Sequence, residues 1–256
     1  LAMIAGCVAV VVALGFVERN SDRAPVVELR VEVDSPEGVH FIDREAVRQR
    51  VLADNTGVIG AAMGDVDVAA IEADLRNLPC VAAADLYHTL DGVLHVRVEQ
   101  RQPLVRVINS NGSSFYIDRE GFTMPVSPVY TARVLVVTGQ LFEPFASGVH
   151  RLGTNDSLSA ATHSDEILRV ARTITADPLW NALIDQLTVD ASSEFELIPR
   201  IGQMRIAIGN GDKLEHRLEK LRAFYAKGIA QGGWRAYSRI DLRFADQVVA
   251  TERSQL

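Results

Sequence analysis

The 256-residue chain carries 33 acidic against 26 basic residues, a formal net charge of −7, with a pI near 5.4. That balance excludes an extended nucleic-acid surface, which needs clustered Lys and Arg. Two cysteines, Cys7 and Cys80, rule out a disulfide-stapled fold, and the six histidines (His40, His88, His95, His150, His163 and His216) lack zinc-ligand spacing. No Gly-x-Ser-x-Gly, Walker or Gly-x-Gly-x-x-Gly pattern occurs, so no cofactor or small-molecule substrate is expected.

Leu1 to Val17 holds no charge and no proline, and the charged pair Glu18-Arg19 follows at once. A helix over these residues is roughly 26 Å long, just short of the ~30 Å hydrocarbon core, so a few residues upstream of Leu1 complete a span. This predicts a transmembrane anchor at 1–17 and a stem at 18–25. The rival is a secretory signal peptide, because Ala13-Leu14-Gly15 has the small-x-small form of a cleavage site. Either way, the remainder of the chain crosses a membrane.

Val26 to Asp34 alternates, with Val27, Leu29, Val31 and Val33 on one face, and predicts a half-buried strand. Asp43 is placed to cap a helix running to about Ala53, with Ile42 stapled onto Val47; Asn55 and Gly57 stop it. A second helix opens the same way at Val66-Asp67, with Ile71, Leu75 and Leu78 on its stripe until Pro79. Val81 to His88 and Val93 to Gln100 read as strands joined by a two-residue Asp91-Gly92 turn. The order β-α-α-β-β over 26–101 is similar to that of POTRA domains, small periplasmic modules that often pair with other chains at a sheet edge.

Residues 102–256 read as a second, β-rich domain of mostly antiparallel sheet with flanking helices, giving an α+β protein. Strands are expected at Leu104 to Ile108, Ser114 to Ile117 and Phe122 to Pro125, then at Val134 to Thr138 as a central strand. Phe142 to Ser159, rich in Gly, Pro, Ser and Asn, reads as a loop, and Ser164 to Ala176 as a helix ended by Asp177-Pro178. Strands at Ala182 to Val189, Glu194 to Ile198 and Met204 to Ile208 follow, with Pro199 putting the second at an edge or a bulge. Asp212 and Glu215 predict a capping box for a helix carrying Leu214, Leu218, Leu221, Phe224 and Tyr225 and ended by Gly228. Arg239 to Ala250 reads as one long alternating strand followed by a polar tail.

Four blocks in order resemble the bacterial cell-division FtsQ/DivIB family, in particular its Bacteroidetes versions. They are Glu99-Gln100-Arg101-Gln102-Pro103-Leu104-Val105-Arg106-Val107, Phe115-Tyr116-Ile117-Asp118-Arg119-Glu120-Gly121, Phe195-Glu196-Leu197-Ile198-Pro199-Arg200-Ile201-Gly202, and Tyr237-Ser238-Arg239-Ile240-Asp241-Leu242-Arg243-Phe244 with Gln247-Val248-Val249. The resemblance implies a non-enzymatic, single-pass inner-membrane scaffold at the division septum, with most of the chain in the periplasm. It implies the partners FtsB and FtsL and, with them, an FtsW/FtsI-type synthase. In that family the last strands form an open edge to which a partner adds a strand.

Carried onto this chain, the partner-binding residues are Ile240, Asp241, Leu242, Arg243, Phe244, Asp246, Gln247, Val248 and Val249, with Trp234 and Tyr237 as aromatic anchors. Asp246-Gln247-Val248-Val249-Ala250-Thr251 stands where enterobacterial relatives are richer in Gly. Arg239, Asp241 and Arg243 either present charge to a partner or only solubilise the edge, and Trp234 and Tyr237 serve a partner or the core. Glu194 and Glu196 fall on one strand face beside solvent, where a catalytic dyad is not expected. Two other readings stand beside the scaffold. A POTRA-bearing component of outer-membrane protein insertion or secretion would carry a long barrel of roughly ten-residue alternating strands, and a membrane-tethered periplasmic enzyme would need a nucleophile, a carboxylate pair or a metal cluster.

Overall fold

In the computed structural model, which describes residues 23–35, 38–54, 57–145, 148–152, 162–229 and 233–253, three of the helices begin at an Asp whose side chain accepts a free amide of the first turn. The expected anchor at 1–17, the stem as far as residue 22 and the parts of the expected 142–159 loop at 146–147 and 153–159 lie outside the described residues. Among the described residues no helix is long and apolar enough to cross a membrane. The chain divides into two compact units, Leu1–Arg101 and Gln102–Leu256.

The first unit contains β1 (Glu28–Asp34), α1 (Arg44–Asp54), a 3-10 turn at Met63–Asp65, α2 (Val68–Arg76), β2 (Val81–His88) and β3 (Val93–Gln100). Ala46 N–H donates to Asp43 Oδ1 at 2.8 Å and Ala70 N–H to Asp67 Oδ1 at 2.9 Å, so both Asp residues cap as the sequence predicts. The helices set Val47, Val51, Ile71 and Leu75 against Leu29, Ala84, Val96 and Val98. The sheet order is β1-β3-β2, with β1 parallel and β2 antiparallel to β3.

Two details differ from the sequence reading. The β2–β3 connection is four residues, Thr89 to Gly92, closed by Thr89 N–H to Val93 O (3.0 Å) and Gly92 N–H to Thr89 O (3.1 Å). Only Gly92 has positive φ (88°) there, whereas a two-residue type I′ turn needs it at both central positions. The alternation also fails at the head of β1, where Val26 is buried and Val27 is 61% exposed. Val26 N–H donates to Ala61 O (2.8 Å) and Val27 N–H to Gly92 O (2.9 Å), so two different segments claim successive residues.

Gln100, buried at the last position of β3, stitches the β1–α1 connection. Its Oε1 accepts Phe41 N–H (2.9 Å) and Ile42 N–H (3.3 Å), and its Nε2 donates to Ile42 O (3.0 Å) and to Ser35 Oγ. An apolar side chain of similar size leaves these backbone groups without that partner, a cost of about 1–3 kcal/mol.

The second unit is built on one ten-stranded sheet in the order β13-β12-β11-β10-β9-β7-β4-β5-β6-β8. Its strands are β4 (Pro103–Ile108), β5 (Ser114–Asp118), β6 (Phe122–Pro125), β7 (Leu135–Gly139), β8 (His150–Arg151), β9 (Ile184–Val189), β10 (Phe195–Pro199), β11 (Arg205–Gly209), β12 (Tyr237–Asp241) and β13 (Val249–Glu252). Six of the nine pairings are antiparallel and three are parallel, namely β4–β7, β7–β9 and β11–β12. The sheet is therefore mixed. The helices α3 (Ser164–Ala176), α4 (Pro178–Leu183) and α5 (Leu214–Phe224) contribute Ile167, Val170, Trp180, Leu218 and Leu221 to the core.

Helix α3 spans the expected residues, but its cap comes from elsewhere in the chain. Buried Glu143 accepts His163 N–H (2.8 Å) and Ser164 Oγ–H (2.5 Å), and is itself held through its backbone by Asn109. Asp177 both ends α3 and caps α4, whose first residue is Pro178, so the chain makes a short helix before β9 starts at Ile184. The run at Val134 to Thr138 corresponds to β7, central between β4 and β9. β10 is likewise central, and Pro199 marks a register irregularity against β9. The Asp212–Glu215 capping box is not formed: the N-cap is Lys213 in the left-handed region at φ 50°. Asp212 instead accepts from Asn210 and faces Arg169, while Glu215 accepts from Thr173. Gly228 does not end the helix, which widens into a π-helical turn at Tyr225–Ile229.

Urea unfolding of the full chain, followed at its first unit, is expected to show Gln100→Leu lowering stability by about 1–3 kcal/mol; an unchanged midpoint contradicts the stitching role.

Candidate functional site

The residues expected to form one strand from Arg239 to Ala250 form a hairpin. β12 and β13 run antiparallel, pairing Arg239 with Thr251, Ile240 with Ala250 and Asp241 with Val249. The strand stops at Asp241 because its Oδ1 accepts the Arg243 backbone N–H (3.0 Å), a local turn that competes with the ladder. The reversal is then held by Lys220 of α5, whose Nζ donates to Leu242 O (3.2 Å), Ala245 O (3.1 Å) and Phe244 O.

This rearrangement redistributes the candidate residues. Ile240 and Leu242 are fully buried in the core, and β12 is paired on both sides, with β11 and with β13. Neither residue can meet a partner through its side chain. Asp241 is buried and ion-paired with Arg243 (2.5 Å), which also pairs with Glu194 (2.5 Å). Phe244 and Val249 are 46% and 40% exposed. Asp246, Gln247 and Val248 line a depression of about 410 Å³ with Lys220, Ala223, Phe224 and Lys227. Trp234 and Tyr237 join an aromatic cluster: Trp234 lies 4.9 Å from Tyr225 and Tyr237 lies 5.3 Å from Phe224, centroid to centroid. Both are half-buried there, and Trp234 packs against the core.

The sheet has two end strands, the two-residue β8 and β13, and the C-terminal segment forms β13. It ends the sheet order and, among the described residues, pairs only with β12. Arg253 N–H donates inward to Ala236 O (2.8 Å), so the alternation of the strand turns the N–H and C=O of Ala250 and the N–H of Glu252 outward, while Glu252 O accepts from Ser238 Oγ (3.5 Å). The sequence reading put Thr251 and Glu252 in a tail; what marks them as strand is alternation resumed after the Ala245-Asp246 break. Lys220 carries no local sequence signal, because its role is to bind carbonyls 22 to 25 residues away in sequence.

The face of the sheet opposite the helices carries alternating charge. Glu196 of β10 is buried, not beside solvent as the sequence suggests, and pairs with Arg205 of β11 (3.2 Å) and Arg239 of β12 (2.5 Å). Glu194 and Glu196 thus each face a guanidinium, the environment of ion pairs. Burial opposes ionisation of Asp241, but hydrogen bonds from the side chain and backbone of Arg243, with the charges of Arg243 and Arg239, outweigh it and hold the carboxyl below its ordinary range. Burial pushes the Tyr225 phenol up. Among the described residues no group of His, Cys, Asp or Glu could hold a metal ion.

The family described as FtsQ/DivIB, C-terminal related, matches residues 102–251. A family described as POTRA-like domain matches residues 27–99. The cell division protein FtsQ of Rhodothermus marinus is 31% identical over 202 residues, covering 76% of this chain and 69% of that protein. The cell division protein FtsQ of Salinibacter ruber is 26% identical over 165 residues, 64% of this chain and 61% of its own length.

A carboxyl with a depressed folded value stabilises the fold above its unfolded value, near 3.9, and loses that contribution as pH falls through the folded value. Asp241→Asn is therefore expected to cost roughly 1–2 kcal/mol at pH 7, discounted because Arg243 is partly solvated, with the deficit shrinking below about pH 4. Urea unfolding at pH 7 and pH 3 measures both, and an equal deficit at the two pH values contradicts the pairing.

Proposed function

This chain belongs to the FtsQ/DivIB family of cell-division proteins, and from that premise we propose that it is a non-enzymatic inner-membrane scaffold whose C-terminal edge recruits FtsB- and FtsL-type partners by strand addition. Residues 1–17 anchor it, both units lie in the periplasm at the septum, and the recruited partners couple it to an FtsW/FtsI-type wall synthase.

The observation that supports this reading is the outer side of β13, which no strand pairs among the described residues. An edge strand supplies main-chain donors and acceptors in a fixed row, and alternate side chains supply selectivity. Ala250 N–H and C=O and Glu252 N–H are the outward backbone groups. Val249 and Thr251 lie on the same sheet face as Asp241 and Arg239, the residues they oppose. The neighbouring depression, bordered by Asp246, Gln247 and Val248 and by Lys220 and Lys227 of the adjoining helical segment, gives a partner room to leave the edge. Of the residues carried over from the family, Phe244, Asp246, Gln247 and Val249 are exposed and open to side-chain contact, and Val248 packs against the core at the rim of the depression. Ile240, Asp241, Leu242 and Arg243 act by holding β12 in place, and Trp234 and Tyr237 by packing beneath it.

Proline at position 250 removes an outward N–H without removing a β12–β13 hydrogen bond, a substitution that edge strands tolerate. In binding assays with membrane-embedded FtsB- and FtsL-type partners, Ala250→Pro in the full chain is expected to weaken association at least tenfold, about 1.4 kcal/mol, while the thermal midpoint stays close to that of the unsubstituted chain. Unchanged affinity contradicts strand addition at this edge.

A further inference from the structure

The first unit presents three exposed aliphatic side chains at the end where the chain enters it. Val27, Ile59 and Leu90 are 61%, 44% and 73% exposed, and they come from the stretch before β1, the turn after α1 and the β2–β3 turn. Backbone hydrogen bonds hold these segments side by side: Val27 N–H to Gly92 O (2.9 Å), Gly60 N–H to Val26 O (2.8 Å) and Val26 N–H to Ala61 O (2.8 Å). Gly92 makes the approach feasible, because a Cβ there would lie 2.9 Å from Pro25 O and 3.0 Å from Val27 Cγ2. The three side chains are therefore a built feature of one pole.

Single exposed aliphatics are ordinary, whereas a group of them marks a contact surface. The outward face of the adjoining sheet shows the contrast, with Glu28, Arg30, Glu32, Arg97 and Glu99 exposed along β1 and β3. Position in the chain identifies what meets the pole. Only residues 18–25 separate it from the uncharged stretch Leu1 to Val17, and an extended chain reaches at most about 3.6 Å per residue, or roughly 29 Å for eight residues. The chain leaves this unit at the far end of β3, after Gln100, so the pole that carries the aliphatics is the one leashed to the apolar stretch.

We propose that Val27, Ile59 and Leu90 form a membrane-contact tip that seats in the interfacial layer of the bilayer into which residues 1–17 insert. The inference rests on the anchored reading above. Arg30 beside the tip pairs with Glu28 (3.0 Å) and faces the charge of Asp91, so contact is made by apolar insertion and does not require anionic headgroups. With anchor and tip both engaged, the orientation of the first unit relative to the membrane is fixed at two points.

The test uses the full chain carrying Cys7→Ala and Cys80→Ala, reconstituted in phosphatidylcholine vesicles that contain headgroup spin-labelled lipid. A solvent-sensitive fluorophore is placed in turn at Leu90→Cys, at Ile59→Cys and, at the opposite pole of the same unit, at Glu99→Cys. The expected result is quenching at positions 90 and 59 at least twice that at 99, unchanged when a third of the lipid is phosphatidylglycerol, and lost at position 59 when Leu90→Asp is added. Equal quenching at the three positions overturns the proposal. Alkaline carbonate extraction of the same vesicles reports separately on residues 1–17. A chain that resists extraction without quenching at Leu90 keeps the anchor and overturns the tip, whereas a chain that is extracted yet quenched at Leu90 on adding vesicles keeps the tip and loses the anchor.

Discussion

The C-terminal part of the second unit depends on one carboxylate placed between two guanidiniums. β12 joins the sheet through a parallel seam of three residue pairs, and one of them sets Arg205 directly opposite Arg239. Like charges at opposed positions repel. Glu196 from the next strand accepts from both, with its own side chain only 7% exposed. Beneath this contact, Ile206 and Ile240 pair in the core and Leu242 continues it. Burying such side chains contributes about 1.5–3 kcal/mol each, more than partly solvated ion pairs supply. The apolar side therefore provides most of the grip, and the ionic side selects the register in which β12 is gripped.

Everything beyond Asp241 inherits that register. Arg243 bridges Asp241 and Glu194, Lys220 holds three carbonyls of the reversal, and Arg253 closes the far end of β13 on Gln203. A four-residue edge strand is thus presented in a fixed pose, and among the described residues no strand pairs its outer side. Exposed edges invite unwanted pairing, and shortness with a charged end is a common safeguard. β13 has both, ending in Glu252 with Arg253 immediately after it. In the proposed scaffold, a partner anchored in the same bilayer would meet such an edge at a raised effective concentration.

Local features were the legible ones. The caps Asp43 and Asp67, the bounds of α3 and the order of the first unit follow from short-range spacing, and the structure reproduces them. Misreadings arose where distant groups compete for the same atoms. Alternation from Arg239 onward suggests one strand, but Lys220 and the Asp241–Arg243 turn break it. Asp212 and Glu215 have capping-box spacing, yet Arg169, Asn210 and Thr173 engage them. Glu196 looks solvent-facing from strand alternation alone, because its guanidinium partners sit on two other strands. Asp177-Pro178 reads as a stop after α3, and the same pair is the start signal for α4. The family blocks pointed to the C-terminal segment as a whole while leaving its hairpin unseen.

Hydrogen exchange at single amides of β13, in the full chain with and without membrane-embedded FtsB- and FtsL-type partners, tests the strand-addition account most directly. Without partners, Ala250 and Glu252 exchange fast and Val249 and Thr251 slowly. The account requires that partners slow Ala250 and Glu252 selectively; fast exchange persisting at both amides in a saturated complex would contradict it.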